Sequence, residues 1–248
     1  MPSDMGSMKV QAVGDASLSV AVPVDRKTLL GETLRQRITS MELAPGAVVD
    51  EQSLGEEFGL SRPPVRELLR QMAAEGYIEL EANRAARVSS MNFQSLRSFF
   101  LAAPLIYIAT TQLAAANATL SEIRELKRIQ ARFRAAIENN DVAQRVLYND
   151  SFHHEIGKMA HNAYLMASLR RLQLDHARLG KIFYRHPTTP DMQQDLELAV
   201  EQHDRIIEAI ERHDSDAAGE AVRTHFELSR HRLAEYSTPE GVHVQIAY

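Results

Sequence analysis

The run Ser61-Arg62-Pro63-Pro64-Val65-Arg66-Glu67-Leu68-Leu69-Arg70 carries two helical rows at once. Ser61 suits an N-cap, and proline is tolerated in a first turn, where its missing N–H would have no partner anyway. Val65, Leu68, Leu69 and Met72 recur at helical spacing and form one apolar face. Arg62, Arg66 and Arg70 recur every four residues and stack along another face. A guanidinium fork matches phosphate oxygens or the major-groove edge of guanine. A solvated basic face on an ordinary helix would show the same arginine row, so the flanks matter.

Upstream, residues 50–60 predict a short helix closed by Gly59, and the break before Ser61 has the length of a helix-turn-helix. Downstream, Glu75-Gly76 ends the second helix. Tyr77-Ile78-Glu79-Leu80 and Arg87-Val88-Ser89 predict two short strands, with Asn83 in the turn and Arg84 at the hairpin tip. Helix, turn, helix and basic hairpin make a winged helix-turn-helix, whose second helix would enter the major groove.

Leu43-Ala44-Pro45-Gly46, then residues 54–69, Glu75-Gly76 and Asn83-Arg84 resemble the N-terminal domain of GntR-type transcriptional regulators in order and spacing. The resemblance covers about residues 26–88 and implies that Gln52, Ser61, Arg62, Arg66, Asn83 and Arg84 face double-stranded DNA. Gln52 departs from the arginine that some members carry there.

The chain of 248 residues has room for two cores, and 44% hydrophobic with 25% charged residues is an ordinary globular composition. Without cysteine there is no disulfide or thiolate, so any metal must take N or O ligands. The net charge is −5, and residues 25–88 carry nine Lys and Arg against eleven Asp and Glu. That excludes indiscriminate coating of nucleic acid and leaves a reader with its arginines on one face. Residues 1–24 have no signal-peptide core and read as a mobile tail. Ser98 to Ser121 holds no charge, but Pro104, Thr110, Thr111, Gln112 and Asn117 favour a helix buried all round in a bundle over a membrane span.

The expected organisation is mainly α. A winged helix-turn-helix with a two-stranded wing over 25–90 precedes an antiparallel six-helix bundle over 93–236, and 237–248 is a loose tail. Breaks fall at Asn117, Asn139-Asn140-Asp141, His161-Asn162, residues 186–190 and His213-Asp214-Ser215. Periodicity turns three histidines inward on three helices: His153 with Asn149 one turn earlier, His203, and His225. Buried histidines are either hydrogen-bonded core residues or ligands, and with three on separate inward faces the pattern alone leaves a metal site and a polar core equally open.

Asn149-Asp150-Ser151-Phe152-His153, Asn162, His203 and His225 resemble the FCD ligand-binding domain of the FadR-like GntR branch. The resemblance implies a divalent ion on Asn149, His153, His203 and His225, with Asn149 in place of the usual Asp. Zinc is the first expectation, with Ni, Co, Fe or Mn also suited to imidazole. Asp150 and His154 share the i,i+4 spacing and stay open as an alternative pair, about 100° round the helix from the apolar stripe. The neutral ligand set would leave the ion's charge to attract a small carboxylate effector. Arg97 resembles the arginine of FadR-like domains that would bind it.

These readings predict a cytoplasmic, homodimeric, DNA-binding repressor. A small molecule, an organic acid by expectation, would modulate its hold on a short inverted-repeat operator. The rival reading is a metal-dependent hydrolytic enzyme using the three-His site. No Asp or Glu shares those inward faces as a general base, so no enzyme is expected.

Overall fold

A computed structural model describes residues 25–183 and 190–237. The proposed tail 1–24, all of the proposed tail 237–248 but Ser237, and all of the proposed break 186–190 but Pro190 lie outside the described residues; Ser237 ends the last helix and Pro190 begins the one before it. In chain order the elements are α1 (Arg26–Thr39), β1 (Val48–Val49), α2 (Glu51–Phe58), α3 (Arg62–Ala74), β2 (Ile78–Glu79) and β3 (Ala86–Val88). Then follow α4 (Phe93–Asn117), α5 (Leu120–Glu138), α6 (Val142–Met159), α7 (Ala163–Phe183), α8 (Pro190–Glu211) and α9 (Ser215–Ser237).

The first six elements form the winged helix-turn-helix. Asp50 caps α2 by accepting from the Ser53 amide at 2.7 Å. Gly59 ends it in the left-handed region with φ 63°, where a Cβ would meet the Arg26 side chain at 2.8 Å. Leu30, Leu34 and Ile38 of α1 pack on Val65, Leu68, Leu69 and Met72 of α3, as their spacing predicts. The sheet has three antiparallel strands in the order β1-β3-β2, with Val48 opposite Arg87 and Ile78 opposite Val88. The wing strands were expected, whereas β1 is an addition. Its two residues become a strand by pairing with β3, which no local pattern announces.

The remaining six helices are those the breaks predict. Asn140, His161 and His213 adopt positive φ at the corners. Thr119 and Glu122 form a reciprocal capping box that starts α5. One apolar core runs through α4, α5, α6, α7, α8 and α9. The expectation for α4 needs correction. It buries Phe99, Ala103, Tyr107, Ala114 and Ala115, but Leu101 and Leu105 are 47% and 69% exposed. This apolar helix is therefore one-sided, and it is the one described helix long and apolar enough to cross a membrane by composition.

Candidate functional site

The six residues expected on DNA are all exposed. Arg62 donates to Gln52 Oε1 at 3.4 Å, which brings the two helices' polar tips together. Arg66 donates through Nε to Glu51 Oε2 at 2.7 Å, so its guanidinium is held out from α3. Asn83 sits at φ 60° in the hairpin turn, and Arg84 pairs with Glu81 beside it. Ser61 occupies the N-cap position of α3 with extended backbone, yet makes no side-chain cap bond. The sequence explains why. A capping hydroxyl accepts from the second or third helical amide, and here those residues are Pro63 and Pro64, which have no N–H.

An N-cap Ser→Ala change ordinarily costs about 0.5–2 kcal/mol. Here Ser61→Ala should leave the unfolding midpoint within about 1 °C of the wild type while weakening DNA binding, because the hydroxyl has no cap to lose. A midpoint several degrees lower would show that Ser61 holds the helix after all.

The three inward histidines converge. His153 on α6, His203 on α8 and His225 on α9 are all buried, and their ligand nitrogens lie within 4.8 Å of one another. Phe152 stacks on His203 with ring centroids 3.9 Å apart, and Tyr107 lies 5.1 Å from His153. His203 Nδ1 sits 3.0 Å from Gln130 Oε1. The Gln130 amide nitrogen donates to the Val200 carbonyl and to Asp204 Oδ1, each at 3.0 Å, which fixes the amide's orientation. Gln130 Oε1 is thus an acceptor, His203 Nδ1 carries the proton, and its Nε2 is a lone pair. His225 Nδ1 meets Gln202 Oε1 at 3.1 Å, and with the Gln202 amide in this orientation His225 has the same tautomer. The two Nε2 atoms then face each other at 3.1 Å, lone pair to lone pair. Among the described residues, the buried His153 Nε2 has no hydrogen-bond partner.

This donor set fits a divalent ion. Two imidazole nitrogens bound at about 2.0–2.1 Å to one ion stand roughly 3.0–3.4 Å apart, and glutamine oxygens on the far nitrogens are the outer partners such ligands need. Asn149 is half-buried one turn before His153. Asp150 and His154 line a different cavity of about 880 Å³, between α6, α7 and the winged region. His154 Nδ1 there meets Gln173 Oε1 at 3.2 Å. Arg97 is exposed early in α4. The polar rings placed beside His153 are Tyr107 and His176, bonded to each other at 2.9 Å. Sequence reasoning missed His176, Gln130 and Gln202.

Burial pushes these imidazoles down: His153 and His203 well below their usual range, His225 to about 3 and His176 to about 4. All four are therefore neutral near pH 7, the form that holds metal. For a depressed histidine the unfolded chain takes the proton first, so stability present above about pH 6.5 drains away as pH falls towards the folded pKa. Asp150, pushed up to about 8 by burial, works the other way over that range but is one group against four. The metal-free midpoint should thus fall between about pH 6.5 and pH 4, and a flat profile would contradict the buried neutral cluster.

Comparison with known proteins agrees with this geometry. Residues 27–88 match the family model described as bacterial regulatory proteins, gntR family, and residues 105–228, half of the chain, match the FCD domain. The transcriptional repressor RspR of Escherichia coli K12 is 24% identical over 213 residues, covering 86% of this chain and 90% of RspR. The repressor NanR of Cronobacter sakazakii is 26% identical over 233 residues, covering 82% and 84%. The solved structure of Escherichia coli McbR/YncC superposes with a TM-score of 0.73 at 18% identity, covering 87% of this chain and all of that one. The winged helix-turn-helix and the helical domain that follows it are thus a shared fold, and the chain belongs to the GntR family of bacterial transcriptional regulators, with an FCD domain after its winged helix-turn-helix.

Proposed function

We propose that this regulator is a cytoplasmic homodimer that represses from a short inverted-repeat operator, and that a divalent ion and a small carboxylate in the bundle modulate its grip. The observation that carries the ligand half of this reading is the pair of Nε2 atoms 3.1 Å apart on His203 and His225, beside His153 Nε2, which has no partner among the described residues. Zinc on His153, His203 and His225, with Asn149 as a weak fourth ligand, relieves the repulsion of facing Nε2 lone pairs. The ion, when bound, supplies an uncompensated positive charge among buried side chains that include Phe133 and Phe152. Neutral imidazoles and an amide do not cancel it, so an anionic oxygen is the natural further ligand. Residues 25–90 and 93–236 act as the reading and sensing domains in this scheme.

The same reading assigns the one-sided α4 to the dimer. Leu101 and Leu105 lie one turn apart on a stretch without charge, and burying them against a second copy removes apolar surface from water. Leu105→Glu should give a monomer by light scattering at micromolar concentration and a marked loss of operator affinity, since each half-site then binds alone. A variant that stays dimeric places the interface elsewhere.

The overall proposal is tested by thermal unfolding with zinc and a panel of carboxylic acids, followed by operator binding with those that raise the midpoint. Ligands that bind only the folded state raise it by mass action. If zinc and every acid leave both the midpoint and DNA affinity unchanged, the sensing half of the proposal fails and the DNA-reading half stands.

A further inference from the structure

Helix α7 touches both halves of the molecule between Arg171 and Arg178. On one side His176 shares a hydrogen bond with the Tyr107 hydroxyl through Nδ1 at 2.9 Å, and its ring lies 5.7 Å from that of His153. Among the described residues this is the phenol's sole side-chain partner, and in the tautomer in which the hydroxyl donates to Nδ1, His176 keeps its proton on Nε2. His176 thus offers an N–H donor beside the histidine cluster, bonded to no described residue.

On the other side Arg178 is fully buried. Its Nη1 donates to the Ser89 carbonyl at 2.8 Å, and its Nη2 donates to Ser89 Oγ at 2.7 Å and to Asp175 Oδ1 at 3.0 Å. Ser89 directly follows β3, and its own amide donates to the Tyr77 carbonyl at 2.9 Å before β2. Arg178 therefore grips the root of the wing whose tip carries Asn83 and Arg84. Two further contacts fasten α7 to the winged region, and an ion pair within α7 braces them. Leu174 belongs to that region's apolar core. Arg171 lies across Gly76, where a Cβ would come within 2.3 Å of its Cδ and Nε. Asp175 accepts from Arg171 at 2.8 Å as well as from Arg178.

We propose that His176 reads the occupant of the histidine cluster, donating from Nε2 to an acceptor oxygen of it, and that α7 passes any displacement to the wing through the Arg178–Ser89 clamp. The inference rests on the ligand reading above, and deepens it by naming the contact residue and the route. A helix is stiff along its axis, and His176 and Arg178 are two residues apart, so a shift at one is felt at the other. A buried arginine with three charge-assisted or backbone bonds has few alternative positions, so the clamp is a stiff contact rather than a soft one.

The test is amide hydrogen exchange at residues 86–90 of the full-length protein, with and without zinc plus acetate as the probe carboxylate. In the wild type the probes should change exchange there by about tenfold. In Arg178→Met and Ser89→Ala, zinc should bind with unchanged stoichiometry by calorimetry, while the change at 86–90 falls below about twofold. If Arg178→Met does not fold, Ser89→Ala decides, because it keeps the carbonyl acceptor and the Arg178–Asp175 pair. Variants that respond like the wild type overturn the proposal, and so does a wild type that binds zinc with no change at the wing root. Should zinc not bind at all, the metal reading fails separately. Tyr107→Phe in metal-free protein then decides the route: exchange at 86–90 altered about tenfold supports it, and unaltered exchange overturns it.

Discussion

Arg66→Ala should weaken operator binding by about 30-fold to about 10⁴-fold while leaving the fold intact. A bidentate arginine–guanine contact is worth about 1–3 kcal/mol, and a two-fold operator uses it twice. The structure removes the usual objection that such a side chain is packing rather than reading. Arg66 is exposed, and its one described partner is the Glu51 carboxylate at 2.7 Å. An exposed ion pair of this kind adds little stability, so its loss should leave the midpoint nearly unchanged. Arg62→Ala should also weaken binding, and its signature would identify its target. A phosphate contact lowers affinity on all sequences and reduces the salt slope by about one, whereas a base contact relaxes specificity at one position. The operator is obtained by selecting random-sequence DNA on the wild type, and affinity is then read by fluorescence anisotropy. Unchanged affinity for both variants at physiological salt would remove α3 from the groove.

The parts of this molecule that sequence reading reached are those with local causes. The helix-turn-helix is set by Asp50, Gly59, Ser61 and the apolar period of α3, all within a few residues of what they control. His153, His203 and His225 could be turned inward because α6, α8 and α9 each have an apolar stripe to count from. Helix α7 defeats the same method. It lies between two cores, so it has no single stripe, and Arg178 is buried although Arg170, Arg171 and Asp175 around it read as a solvated face. His176 was lost with it. Gln130 left a signal that could have been used: a polar residue among Ile123, Leu126, Ile129 and Phe133 on the buried side of α5 needs a partner, and the inward histidines were available. For α4 the error ran the other way. An uncharged helix reads as buried on every side, and nothing in one chain's sequence says that part of the covering could come from a second copy.

His203→Gln should abolish metal binding while sparing basal DNA binding. Wild-type protein reconstituted with zinc should hold about one ion per chain by elemental analysis, and His203→Gln close to none. Glutamine is chosen over alanine because His203 is fully buried against Phe152, and a cavity there would cost several kcal/mol for reasons unrelated to metal. The thermal readout is large. At a free ion concentration about a thousand times Kd, binding adds about 4 kcal/mol, which for a chain of this size raises the midpoint by roughly 8–16 °C. His203→Gln should lose that rise. Gln130→Leu should keep the stoichiometry and lose about 10–100-fold in affinity, because it removes the outer partner that orients the ring. Asn149→Asp should tighten the ion and weaken carboxylate binding by adding negative charge to the shell. The alternatives to a metal are few. A shared proton would place a buried imidazolium where burial already pushes His203 and His225 far down. A neutral bond between the two rings would need the Gln202 amide turned over, so that it donates to His225 Nδ1 and frees Nε2–H for His203. Wild-type protein that takes up no zinc after reconstitution would select that second arrangement, and Gln202→Glu, which cannot donate when ionised, would then destabilise the fold.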